Sequence, residues 1–303
     1  MGRGTGCDGP LESMKILLRK LLGIVAVVAL AVCVVIPVCA RQLMLWREGQ
    51  INESYHHAVE ALGASTSDEL KEIARASNRT LEDVALWDPF ARRDAKKDLD
   101  ILEARENALP DPAGNGVIAV LDVPKLGAPM PVYRGSGKAV LGAGVGHLEG
   151  TSLPIGDAGS LSVLVARQDS LFKGPGGLLR GRFYGLDRLI PGDDFSIRVL
   201  DRTLTYEVTQ VSTVPPKALA AQTANPDADE CVLMTETSGG RLLVKGQRIR
   251  RKTPLVDYTQ ILSGWSPILA FAAPMAMAGI LLVLLVEAVR RIVGRRRIIR
   301  KRL

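Results

Sequence analysis

Two stretches of this 303-residue chain lack charge entirely: Leu21 to Ala40 and Pro267 to Val286 hold no Asp, Glu, Lys or Arg. Their absence of charge argues against reading the chain as one soluble domain, since a run of about 20 apolar residues suffices to cross a hydrocarbon core of about 30 Å as a helix. Cysteine is scarce as well. Of four, Cys7 falls before the first run, Cys33 and Cys39 fall within it, and only Cys231 falls between the runs. A single cysteine there makes no intradomain disulfide, so the core between the runs must hold by packing. No internal repeat or low-complexity tract occurs. A phosphate cradle is missing too: Gly174-Pro175-Gly176-Gly177 follows no clear strand and carries no Lys-Ser or Lys-Thr pair, so it reads as a loop.

The flanks orient the two runs. Arg19 and Lys20 precede the first, and Arg290, Arg291, Arg295, Arg296, Arg297, Arg300, Lys301 and Arg302 follow the second. The positive-inside rule then places 1–20 and the basic tail 287–303 in the cytoplasm, with transmembrane helices at 21–40 and 267–286 and everything between them outside the cell. An alternative for the first run is a cleaved signal, because Val38-Cys39-Ala40 ends in small residues; a lipoprotein anchor fits poorly with Pro37 and Val38 before Cys39. Net charge is +7, but the two cytoplasmic ends carry about +2 and +7 by the residues in them, leaving the rest near −2. The basicity belongs to the membrane flanks, facing lipid, and no nucleic-acid partner is expected.

Between the runs the period changes once. Residues 41–110 are rich in Ala, Glu, Leu and Lys, with Leu62, Leu70, Ile73 and Leu81 at helical spacing and Ser67-Asp68 as a cap before Leu70. Two or three helices are expected, broken at Trp87-Asp88-Pro89-Phe90. Turn residues at Pro110 to Gly116 mark a boundary. Strand-like runs follow at Val117 to Val123, Leu161 to Val165, Asp194 to Val199, Leu204 to Val211, Val232 to Thr235 and Leu242 to Val244. Many short strands between turns indicate a mainly β fold, a sandwich or closed barrel, over 111–255, with a linker at 256–266.

Two motifs carry a family resemblance. One is Gly146-His147-Leu148-Glu149-Gly150-Thr151-Ser152-Leu153-Pro154; the other runs from Val232-Leu233-Met234-Thr235-Glu236 through Arg241-Leu242-Leu243-Val244-Lys245-Gly246. With Val132-Tyr133-Arg134-Gly135, Pro191-Gly192-Asp193 and Leu204 to Val208, in matching order and spacing, they resemble the class C, pilin-polymerising sortases of Gram-positive envelopes. That resemblance covers about Asn78 to Ile249. It implies a closed eight-stranded barrel with an N-terminal helical and lid segment, no cofactor and no metal. It also implies a Cys-His-Arg site that joins pilins through their sorting signals, the thiolate attacking, the histidine exchanging protons and the arginine holding the oxyanion.

At this chain's matching positions the chemistry is missing. The cysteine position falls on Glu236 and the histidine position on Arg167, in Val165-Ala166-Arg167-Gln168; Arg241 matches the arginine. A guanidinium stays protonated far above neutrality and so exchanges no proton near neutral pH. Attack by Glu236 on an amide would give a mixed anhydride with nothing to activate it. Cys231, five residues before Glu236, would lie about 16 Å away on the opposite strand face. His147 sits in the signature, and His56 and His57 in the membrane-proximal helix. Arg167 and Glu236 are opposite in sign, and an ion pair between them is expected. Only four residues separate Glu236 from Arg241, so the loop there is expected to be short. Trp87-Asp88-Pro89-Phe90 resembles the family's lid, with Asp88 meeting Arg241 and Phe90 filling the cleft. The expectation is an inactive homologue binding a pilin or sorting-signal peptide, or assisting an active sortase; a residual hydrolase or transpeptidase and a structural envelope protein are the alternatives.

Overall fold

The computed structural model describes residues 9–81, 86–91, 111–168 and 181–250, with only the backbone given in the helix before residue 42. The chain divides into two compact units, one of 1–44, 174–178 and 262–303 and the other of 45–173 and 179–261. Everything below concerns the second unit unless stated. Among the described residues no helix is long and apolar enough to cross a membrane. The 21–40 run lies in the part of the first helix whose side chains are not described. The linker 256–266, the second run and the basic tail lie outside the described residues, as do residues 82–85 and 92–110 of the expected helical segment.

Helix α1 spans Gly9–Arg79, interrupted only at Gly63, where φ 73° and ψ 164° break the ladder. Glycine takes a positive φ without the strain a Cβ would bring, which places the kink there. The sequence reading put a helix start at Ser67-Asp68; instead Ser67 lies inside the helix and donates its hydroxyl to Asp201 at 3.1 Å, while Asp68 pairs with Lys71. The buried stripe of α1 runs through Ile51, Tyr55, Val59, Leu62, Leu70 and Ala74. On each side of the Gly63 kink those positions lie three or four residues apart, one face of a helix. Ile73, expected on that face, is 46% exposed. Tyr55 fixes the docking: its hydroxyl donates to Ile118 O and accepts from Leu200 N–H, both at 2.9 Å.

Eight strands close a barrel: β1 (Val117–Asp122), β2 (Met130–Tyr133), β3 (Val145–His147), β4 (Ser160–Val165), β5 (Asp194–Val199), β6 (Arg202–Val214), β7 (Asp229–Thr237) and β8 (Gly240–Ile249), in the order β1-β2-β3-β4-β7-β8-β6-β5. A short helix α2 (Lys138–Ala143) joins β2 to β3. Six of these strands fall on the expected runs, and β5 has the expected limits. β2 and β3 were not expected. Four residues with a central proline and three with a central glycine are too short to show alternation. Pairing is antiparallel except for β2 with β3 and β4 with β7. β1 and β4 are buried at every position; β1 reads as a nearly continuous apolar run, while β4 carries Ser160 and Ser162 among its buried residues.

Two apolar clusters lie on opposite faces of the sheet. Leu164, Cys231, Leu233, Leu242 and Val244 belong to the barrel interior. Val163, Val165, Val232, Met234 and Leu243 belong to an outer cluster with Leu86 and Leu219, against which Trp87 and Phe90 pack. Successive residues of a strand point to opposite faces, and the two sets interleave accordingly.

Asp122, at the end of β1, is 6% exposed and its Oδ1 has no hydrogen-bond partner. Burial raises its carboxyl pKa to about 6, with Arg198 opposing. The folded value lies above the unfolded one, so the ionised carboxylate weakens the fold above pH 6, and that cost fades as pH falls toward 4. Asp122→Asn should therefore gain on the order of 1–3 kcal/mol at pH 8, with the gain shrinking to near zero by pH 4, as read by urea denaturation at each pH.

Candidate functional site

The register of three neighbouring strands builds the site. Val165 pairs with Met234 in the parallel β4/β7 ladder, and Ala166 N–H donates to Met234 O at 3.2 Å. Two residues further along each strand come Arg167 and Glu236, on the face of the outer cluster. Across the antiparallel β7/β8 ladder Glu236 is the direct partner of Arg241. The β7–β8 connection is a two-residue hairpin, Thr237 pairing with Gly240 across Ser238 and Gly239, which accounts for the short spacing seen in the sequence. One carboxylate thus stands between two guanidinium groups on adjacent strands.

Glu236 pairs with Arg167. Nη2 of Arg167 lies 2.8 Å from Glu236 Oε1, with the two side chains 31% and 32% exposed. Arg167 Nε is buried without a hydrogen-bond partner, so the guanidinium does not engage through that nitrogen. Arg241 turns instead to Asp88 from the lid segment. Its Nε and Nη2 donate to Oδ1 and Oδ2, both at 2.8 Å, and the two side chains are only 13% and 12% exposed. The Phe90 ring lies 5.1 Å from the same guanidinium, within cation–π range. Asp88 Oδ1 also accepts Phe90 N–H at 3.1 Å. Four charges, two of each sign, are therefore neutralised in pairs.

The signature loop forms the seat under the lid. Glu149 O accepts the Trp87 indole N–H at 3.0 Å, while the Glu149 carboxylate accepts both the backbone N–H and the hydroxyl of Ser136. His147 ends β3 and is wholly buried, its Nε2 within 3.0 Å of Ser152 O and 3.2 Å of the Thr151 hydroxyl. Gly146 must lack a side chain, since a Cβ would stand 2.3 Å from Gly135 O. Asn78 near the end of α1 accepts Leu153 N–H at 2.7 Å and donates to Leu153 O at 3.1 Å. Sequence reasoning named this loop for its letters and missed its job as a support. A glutamate amid the loop's glycines was the available signal, because a carboxylate there is buried only with donors to hold it.

Among the described residues no thiol or imidazole reaches this face. Cys231 is fully buried in the barrel interior, and burial pushes its thiol well above the usual range. His147 is enclosed, and His56 and His57 lie on α1, pairing with Glu53 and Glu60. Among the described residues no group of three or more His, Cys, Asp or Glu could hold a metal ion.

The barrel order, the lid contact with Arg241 and the motif positions define what the chain is similar to. Residues 121–248 match the Sortase domain family model. The pilus-related sortase C of Group B Streptococcus is 30% identical, with 66% of this chain aligned to 97% of that one at a TM-score of 0.56. The chain belongs to the class C sortases. Sortase C of Streptococcus pneumoniae, whose structure was described for catalysis and pilin substrate specificity, is 28% identical over 68% of this chain and 100% of its own, at a TM-score of 0.57. Sortase C-1 from Actinomyces oris is 29% identical over 62% and 100%, at 0.53. No match was found among the curated proteins.

The two ion pairs of this sortase should differ in strength. Arg167 with Glu236 joins side chains about a third exposed, so a double-mutant cycle should give a coupling below about 1 kcal/mol. Asp88 with Arg241 is bidentate and nearly enclosed, and its coupling should reach about 1.5–3 kcal/mol. Equal couplings would refute this ordering.

Proposed function

We propose that this protein is a membrane-anchored, cell-surface sortase homologue without transpeptidase chemistry, which binds a pilin or sorting-signal peptide or assists pilus assembly beside an active sortase. The observation that carries the reading is the pairing of Glu236 with Arg167 at 2.8 Å, at the positions where the family resemblance implies the nucleophile and its proton partner. Covalent acyl transfer needs a group that attacks and a group that takes up and returns a proton near neutrality. A carboxylate held by a guanidinium does neither. Arg241 keeps the family's arginine, and the outer apolar cluster keeps a surface for a peptide, so a groove can remain where the chemistry has gone.

Anchoring rests on the two uncharged runs at 21–40 and 267–286 and on the basic residues beside them, read by the positive-inside rule. On this reading the barrel faces the outside of the cell and lipid is a standing partner.

The reading is tested by incubating the protein with a Leu-Pro-x-Thr-Gly-type peptide and an amine, and weighing both by mass spectrometry. Peptide binding with no adduct, cleavage or ligation is expected. Turnover that disappears in Glu236→Ala or Cys231→Ala would sink it.

A further inference from the structure

The segment Leu86 to Ala91 is bound to the barrel as a short peptide would be. It has no helix or strand of its own, and it is held through a few anchors. Leu86 is 4% exposed in the outer cluster, the Trp87 indole donates to Glu149 O, Asp88 fills the fork of Arg241 with both oxygens, and the Phe90 ring lies beside the same guanidinium. The centre of this grip is a carboxylate. A guanidinium fork matches two carboxylate oxygens in a plane, which a neutral amide cannot reproduce.

What happens to Arg241 when the segment leaves decides the ligand. The nearest acid on the strands is Glu236, its cross-strand partner, and Glu236 is engaged by Arg167 at 2.8 Å. Arg241 would then be a cation with no counter-charge from the sheet, and a peptide taking the segment's place would enclose it again. An occupant that brings a carboxylate restores the balance; a neutral occupant leaves it broken.

Resting on the peptide-binding reading above, we propose that this cleft selects an acidic peptide: one with a side-chain carboxylate for Arg241 and an aromatic residue two positions later, seated where Asp88 and Phe90 sit. The lid segment is the resident ligand of that site, and a partner enters by replacing it. The uncleaved peptide is thereby recognised through its charge, and no bond is made or broken.

The test uses the full chain in detergent micelles and two fluorescein-labelled hexapeptides, Ala-Trp-Asp-Pro-Phe-Ala and the same peptide with Asn for Asp. In Asp88→Ala, which frees Arg241, fluorescence anisotropy should show the Asp peptide binding at least ten-fold more tightly than the Asn peptide. It should also bind at least ten-fold more tightly than to the wild-type chain. Arg241→Lys added to that variant should abolish the preference. Asp88→Asn, nearly unchanged in shape, gives the same comparison should the alanine variant fold poorly. Equal affinity for the two peptides overturns the inference. A Leu-Pro-x-Thr-Gly-type peptide in the same assay separates this idea from the broader one. If it binds while the Asp and Asn peptides do not differ, only the carboxylate preference fails; if no peptide binds, both fail.

Discussion

A β-strand shows alternate residues to opposite faces, and this one constraint organises both the core and the cleft of the protein. On β7 it sends Cys231 and Leu233 into the barrel and Val232 and Met234 to the outer cluster. Glu236 follows the outer set. Because β4 runs parallel to β7 and β8 runs against it, the same alternation brings Arg167 to one side of Glu236 and Arg241 to the other. A shift of one residue in either ladder would turn those groups into the core, where an unpaired charge is costly. The charged trio and the apolar packing thus depend on one register. The buried thiol is excluded from the cleft by that register too, whatever its chemistry.

The lid and the signature loop act together on the outer side of this sheet. Glu149 ties the loop to Ser136 through its carboxylate and receives the Trp87 indole on its carbonyl. Asn78 fastens the end of α1 to Leu153. The lid is therefore anchored at Trp87 by a neutral hydrogen bond and at Asp88 by a bidentate charged pair. The second anchor is the stronger by its burial and its geometry. The resting cleft carries no net charge on its four ionic groups, which explains how two arginines flank the strand that carries Glu236 without mutual repulsion.

Much of this was legible in the sequence, for identifiable reasons. β5 begins where Pro191-Gly192-Asp193 ends, and a turn of that chemistry leaves little choice of start. Opposite signs at 167 and 236 predicted a pair once the family scaffold was supposed, and Asp88 was matched to Arg241 through the lid motif. The helix start was misplaced because Ser67-Asp68 looks like a cap, while the break falls at Gly63, which accepts a positive φ. Ser67 was drawn off by a long-range partner, Asp201, which local patterning does not reveal. β2 and β3 escaped notice for want of length, and the support role of Glu149 escaped because its donors lie 13 residues earlier at Ser136 and 62 residues earlier at Trp87.

The central claim is that Glu236 is half of a salt bridge and not a nucleophile. An experimental structure of the unit between the two uncharged runs, determined at neutral pH, tests it most directly through the distance from the Glu236 carboxylate to the Arg167 guanidinium. A separation near 2.8 Å, with Arg241 still gripped by Asp88, is the predicted result. A separation well beyond the reach of an ion pair, with Glu236 turned free into an open cleft, would contradict it.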